Sequence, residues 1–102
     1  MNIDIASEGF AAVGSAPRLQ IVALLVRAGP QGLATGEIQQ KSGIAASTLV
    51  HHLKSLADGR VITQAKKGRS MVSVANFDHL HALAAFLLEE CCVDAGRGND
   101  DE

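Results

Sequence analysis

The chain has 102 residues and a net charge of −2, the size of a single domain and a charge that argues against a general polyanion binder. It is 47% hydrophobic with three Phe and no Trp or Tyr, so Leu, Ala, Val and Ile must fill a thin core that oligomerisation would help. No apolar run reaches the roughly 18 residues of a membrane span, and MNIDIASEGF has an early acid and no basic start, unlike a secretory signal; a cytoplasmic protein with no membrane partner is expected.

Residues 3–13 place Ile3, Ala6, Phe10 and Val13 on one stripe of a short first helix. A helix this short is not stable alone, so that stripe needs a partner, which another chain could supply. Ser15-Ala16-Pro17 starts a second helix, with a small cap and a proline in the first turn. Ile21, Leu24 and Leu25 are its buried set, and Gly29-Pro30 stops it. Gly32-Leu33-Ala34 reads as a short extended segment. Thr35 is the candidate cap of the next helix, with Glu37 beside its positive dipole end.

The stretch Ile38–Gly59 organises the rest. It reads as two helices joined at Ser42-Gly43-Ile44, the second with Leu49, Leu53 and Leu56 spaced i, i+4, i+7 on one stripe. Its other faces carry Ser47, Thr48, His51, His52, Lys54 and Ser55. Hydroxyls, imidazoles and ammonium groups are the chemistry that meets base edges and phosphates. A helix, a glycine turn and a polar-faced helix form the helix-turn-helix pattern. The same stripe would also suit an ordinary pair of packed helices.

Beyond Gly59, the β-branched Val61-Ile62-Thr63 and the alternating Met71-Val72-Ser73-Val74 flank Lys66-Lys67-Gly68-Arg69. Two strands around a basic glycine turn make a β-hairpin, and a hairpin directly after a helix-turn-helix is a wing. Lys66, Lys67 and Arg69 would lie on phosphates and position the protein. Charge supports that division. Residues 45–71 carry five bases against one acid, and residues 89–102 six acids against one base. Phe77–Val93 reads as a helix apolar almost all round, which a domain this small cannot surround. The expected fold is therefore mainly α with a small β-hairpin: a winged helix-turn-helix over residues 1–95, homodimeric through its first and last helices. Residues 96–102, GRGNDDE, are expected to be a disordered acidic tail.

The motifs Ala16-Pro17-Arg18-Leu19, Gly43-Ile44-Ala45-Ala46-Ser47-Thr48-Leu49, His51-His52-Leu53-Lys54 and Gly68-Arg69-Ser70 resemble those of the ArsR/SmtB winged-helix transcriptional repressors, over about residues 8–93. The ending Phe86-Leu87-Leu88-Glu89-Glu90-Cys91-Cys92 is similar to that of arsenic-responsive members with a vicinal cysteine pair. The resemblance implies a homodimer that blocks double-stranded operator DNA, with recognition helices in successive major grooves about 34 Å apart. Family members often have a polar residue where Val50 and Ala46 stand, a departure that leaves Ser47, Thr48, His51 and His52 for base edges. The resemblance also implies release of the DNA when a ligand binds, with a coupling of typically ~1–3 kcal/mol. The chain departs from the family in having no Cys-x-Val-Cys run between Glu37 and Ser42, and no third cysteine.

Cys91 and Cys92 are the only cysteines. In a reducing compartment they should be thiols, and adjacent cysteines close a strained ring if they join. Thiolates select soft ions, so the effector expected at Cys91 and Cys92 is trivalent arsenic or antimony, with no other cofactor required. Two sulfurs per chain suit a monosubstituted arsenical, or arsenite with a further donor. Neighbouring side chains on a helix point about 100° apart, so the helix should fray or end at the pair, or be distorted by the metalloid. The plain alternative is two small packed hydrophobes. The resemblance also implies a rival, zinc held across the dimer by Asp78 or His81 with Cys92; thiol redox sensing and a winged helix used only for protein contact are the others. No paired-carboxylate cleft, phosphate loop or Ser-His-Asp set points to an enzyme.

Overall fold

The computed structural model describes residues 1–96; the acidic stretch expected as a tail lies, apart from Gly96, outside the described residues. Helices α1 (Ile3–Val13), α2 (Ala16–Ala28), α3 (Thr35–Ser42), α4 (Ala46–Asp58) and α5 (Phe77–Leu88) surround the strands β1 (Leu33–Ala34), β2 (Ile62–Lys67) and β3 (Ser70–Ala75). Five helices and an antiparallel hairpin form a winged helix-turn-helix. The short segment after Gly32 proves to be a third strand. The sheet order is β1-β3-β2, with Leu33 opposite Ser73 and Lys67 opposite Ser70. No single helix among the described residues is long and apolar enough to cross a membrane.

One core serves every element. Ile21 and Leu25 of α2, Ile38 of α3, Leu49 and Leu56 of α4, and Val61 are fully buried together. Full burial of such side chains is worth about 1.5–3 kcal/mol each. Val22 joins them, whereas Leu24, expected in the buried set, is only half-buried. Ser73, the one polar residue that is buried among the described residues, is satisfied: its Oγ accepts a hydrogen bond from Gln64 Nε2 at 3.1 Å.

The stripe of α1 differs from the expected one. Ala6, Gly9 and Ala12 are buried, Phe10 and Val13 are half-buried, and Ile3 is 67% exposed. The reason is proximity. A Cβ placed on Gly9 would fall 2.8 Å from Leu83 Cδ1 of α5, and one on Gly59, just past α4, would fall 2.5 Å from Ala12 Cβ. Helix α1 is wedged between α5 and the end of α4, where only small side chains fit. Arg18 of α2 fastens the same corner, its Nε donating to Ala12 O at 2.6 Å beside the negative end of α1.

The caps explain where the elements start. Ser15 Oγ accepts from Arg18 N, and Asn2 Oδ1 from Ile5 N. Thr35 does not cap α3: it is the first helical residue, and its hydroxyl donates to Met71 O of β3 at 3.3 Å. Glu37 supplies the capping contact instead, Oε1 accepting from Ala34 N at 2.8 Å. Asn76 locks α5 to the loop after α4. Its Nδ2 donates to Arg60 O at 2.9 Å while its Oδ1 accepts from His79 N at 3.2 Å.

Helix α5 is shorter than expected, ending at Leu88 rather than Val93. Turns follow, with Cys91 N donating to Leu88 O and Val93 N to Glu90 O. Leu87 and Leu88 are 67% and 69% exposed, so nothing among the described residues packs on a continued helix, and packing is what sustains a short one. Continuation would also have set Glu89, Glu90 and Asp94 against the negative dipole end.

Candidate nucleic-acid interface and dithiol site

The turn between α3 and α4 determines how α4 is presented. Gly43 ends α3 in the left-handed region at φ 75°, and its N–H donates to Gln39 O at 2.8 Å. An L-residue with a Cβ is disfavoured there. Leu49, Leu53 and Leu56 then turn inward. At about 100° per residue, Ser47, His51 and Lys54 are carried to the opposite side and Thr48 to its edge. All four are exposed, and His52, on the flank, is half-buried. Lys54 Nζ lies 3.1 Å from Asp58 Oδ2, one turn on, with both side chains largely exposed. An exposed pair of this kind is worth about 0.3–0.5 kcal/mol, so Lys54 is free to exchange that partner for a phosphate.

The hairpin carries the other basic groups. Lys66 and Lys67 end β2 rather than sitting in the turn, and only Gly68 and Arg69 connect the strands. Gly68 has φ 63° and Arg69 does not share it, the pattern expected of a type II′ connection. Lys66, Lys67 and Arg69 are all exposed. The face thus offers polar, hydrogen-bonding side chains on a protruding helix and a separate basic finger.

The sequence reading set Val50 aside as an apolar departure, and it stands at the edge of this face. Val50 is 58% exposed. Its position off the Leu49/Leu53/Leu56 stripe was readable from the helical spacing.

At the far end of α5, Cys91 Sγ and Cys92 Sγ lie 3.3 Å apart, both exposed and both free. Adjacent helical residues would point away from each other. Here Cys92 takes φ 67°, which turns the chain and brings the sulfurs together. A hollow beside Cys91 is lined by Phe86, Leu87, Glu89 and Glu90. Among the described residues no group of three or more His, Cys, Asp or Glu is placed to hold a metal ion. Asp78 and His81 stand near the start of α5, about 15 and 10 Å along its axis from Leu88, where the helix ends before the pair, so they belong to no ligand cluster with Cys92 among the described residues of one chain.

Solved structures share this fold. One described as an ArsR family transcriptional regulator has a TM-score of 0.78 at 20% identity, covering 95% of this chain and 97% of its own. The homodimeric winged helix-turn-helix DNA-binding domain of Mb0332 from Mycobacterium bovis, described as a possible ArsR-family regulator, has a TM-score of 0.68 at 22% identity, covering 87% and 82%. A structure described as a possible transcriptional regulator for arsenical resistance has a TM-score of 0.69 at 19% identity, covering 86% and 88%. The shared property is the fold. No family model matches the chain, and no curated protein matches it significantly in sequence.

Proposed function

We propose that this chain is a DNA-binding transcriptional repressor rather than an enzyme, acting as a homodimer on double-stranded operator DNA in the cytoplasm. The observation that carries the reading is the exposed face of Ser47, Thr48, His51 and Lys54 on α4 beside the basic finger of Lys66, Lys67 and Arg69. The solved structures of like fold that are described as regulators support it. Hydroxyl and imidazole groups meet base edges, and the hairpin meets phosphates and sets the register. His52, half-buried at the flank, is a peripheral contact. The exposed Leu87, Leu88 and Ile3 on α5 and α1 fit a second copy, which would cover them.

Cys91 and Cys92 are the proposed effector site, and trivalent arsenic or antimony is the proposed effector. The donor set fits. With bonds to sulfur of about 2.3 Å, a separation of 3.3 Å corresponds to an S–centre–S angle of about 90°. That is nearer to a pyramidal trivalent centre than to tetrahedral zinc. Two thiols without a third donor in the same chain favour a monosubstituted arsenical, or arsenite completed by another ligand. Bound there, the metalloid would tie both sulfurs into one ring and fix the turn that follows α5. A change at that turn reaches the DNA face through two close approaches: α5 presses Leu83 on Gly9 of α1, and α1 presses Ala12 on Gly59 at the end of α4.

The test is fluorescence anisotropy of the chain's own upstream DNA with reduced protein, adding arsenite, a methylated trivalent arsenical, then zinc. Release by an arsenical that disappears in Cys91→Ser and Cys92→Ser is the expected result. Tight binding indifferent to all three would leave a repressor whose cysteines bind no effector. No salt-dependent binding would leave a protein-contact module.

A further inference from the structure

We infer that Val50 is a specificity-determining residue, reading the C5-methyl group of a thymine in the major groove; the inference rests on the DNA-binding role proposed above. Helix α4 buries Leu49, Leu53 and Leu56 to 3% exposure or less, yet leaves Val50 58% exposed. Neither the core nor the helix itself accounts for this residue, since β-branched side chains lower helix propensity. Its neighbours one turn away are Ala46, Ser47, Leu53 and Lys54, so it is an apolar point at the edge of the face that presents the base-reading groups. It opens onto a cleft of about 410 Å³ between α4 and the sheet, lined also by Thr35, Leu53, the Lys54–Asp58 pair, Gln64 and Met71. Met71, on β3, is itself 40% exposed.

The cleft combines an apolar wall with the Lys54–Asp58 pair at its rim and runs beside the hairpin that carries Lys66, Lys67 and Arg69. The positive charge of that hairpin favours an anionic occupant, and the continuity of the cleft with the α4 face selects DNA. In the major groove a single base presents an apolar group: thymine, through its C5-methyl. Contact of that methyl with the Val50 isopropyl group removes both from water, while cytosine or a purine at the same place offers no such surface. Ser47 and Thr48 accept or donate to several bases, so Val50 supplies a discrimination they lack.

Full-length protein is titrated by anisotropy against its upstream DNA, and against the same duplex synthesised with deoxyuridine in place of thymidine. That exchange deletes the methyl groups and leaves the pairing unchanged. Wild type should bind the uracil duplex about five-fold more weakly. Val50→Ala should bind both duplexes alike, at the wild-type level on uracil DNA. Because Val50 is exposed, Val50→Ala and Val50→Thr should fold normally, and matching circular dichroism establishes that they have. Equal binding of the two duplexes by wild type overturns the inference and leaves the DNA-binding role standing. So does the same loss on uracil DNA in Val50→Ala, which would assign the loss to duplex mechanics. Failure of wild type to bind either duplex in a salt-dependent way overturns the role and the inference together.

Discussion

Replacing Gly59 by alanine tests the contact through which α1 touches the end of α4. Gly59 has φ −80° and ψ 0°, which alanine adopts without strain, and the change removes about 0.4–1 kcal/mol of unfolded-chain entropy. Considered as a backbone change alone, it should stabilise. The added Cβ, however, would meet Ala12 Cβ at 2.5 Å and Glu8 O at 3.1 Å. Carbon atoms rest at about 3.5–4.0 Å, so α1 must retreat by roughly 1 Å. Overpacking of this kind costs about 1–3 kcal/mol. The expected net loss is about 1–2 kcal/mol, or a Tm lower by about 4–15 °C at fixed protein concentration. Ala12→Gly alone should cost about 0.5–1 kcal/mol as a glycine within a helix. Together the two changes remove the Cβ–Cβ clash and keep only the milder contact with Glu8 O, so the pair should be more stable than the sum of the single losses by about 1 kcal/mol. Urea unfolding of all four chains measures this coupling. Additivity within about 0.5 kcal/mol, or a Gly59→Ala chain as stable as wild type, would refute the close approach of the two helices.

Other expectations follow from the same structure. Gly43→Ala forces a Cβ into the left-handed region at φ 75° and should cost about 1–2 kcal/mol, read by thermal unfolding, with DNA affinity falling as the presentation of α4 loosens. Asn76→Ala removes the bond that caps α5 and the one that ties it to Arg60 O and should cost about 1–2 kcal/mol; hydrogen exchange should rise first at residues 77–80. Leu56→Ala, in the centre of the core, should cost about 2–5 kcal/mol by urea unfolding. Exchanging Lys66, Lys67 and Arg69 for Gln should flatten the slope of log affinity against log salt by about one for each phosphate no longer neutralised, and an unchanged slope would remove the hairpin from the interface.

The helix-turn-helix was legible because its signals are local. Leu49, Leu53 and Leu56 fix which side of α4 is buried, and Gly43 fixes the break before it. The hairpin was legible from β-branched runs around a glycine, although its strands extend further into the basic segment than their composition implied. The face of α1 was not legible. Ranking residues by hydrophobicity selected Ile3 and Phe10, whereas the wedge between α5 and α4 selects by size and took Gly9. The hydroxyl of Thr35 was assigned to its own helix, but a strand some 36 positions away in sequence supplied its acceptor. The end of α5 was overextended because Cys91, Cys92 and Val93 were read as a continuation of the apolar run, across Glu89 and Glu90, while the packing surface ends with Leu88. The arrangement of the sulfurs depends on a positive φ at Cys92 that no residue type announces.

The sheet order has a consequence for handling the protein. With β3 in the centre, β2 is an outer strand, and all of it beyond Ile62 is exposed. An open strand edge is a template on which another chain can add its own strand, and lysines are a common means of discouraging this. Lys66 and Lys67 stand on that edge. The same two ammonium groups proposed to touch phosphate therefore also guard the protein against sheet-to-sheet association when no DNA is present. Variants that neutralise them to probe binding should be checked by light scattering at working concentration. Otherwise a fall in affinity could record protein withdrawn into aggregates rather than a weaker grip on DNA.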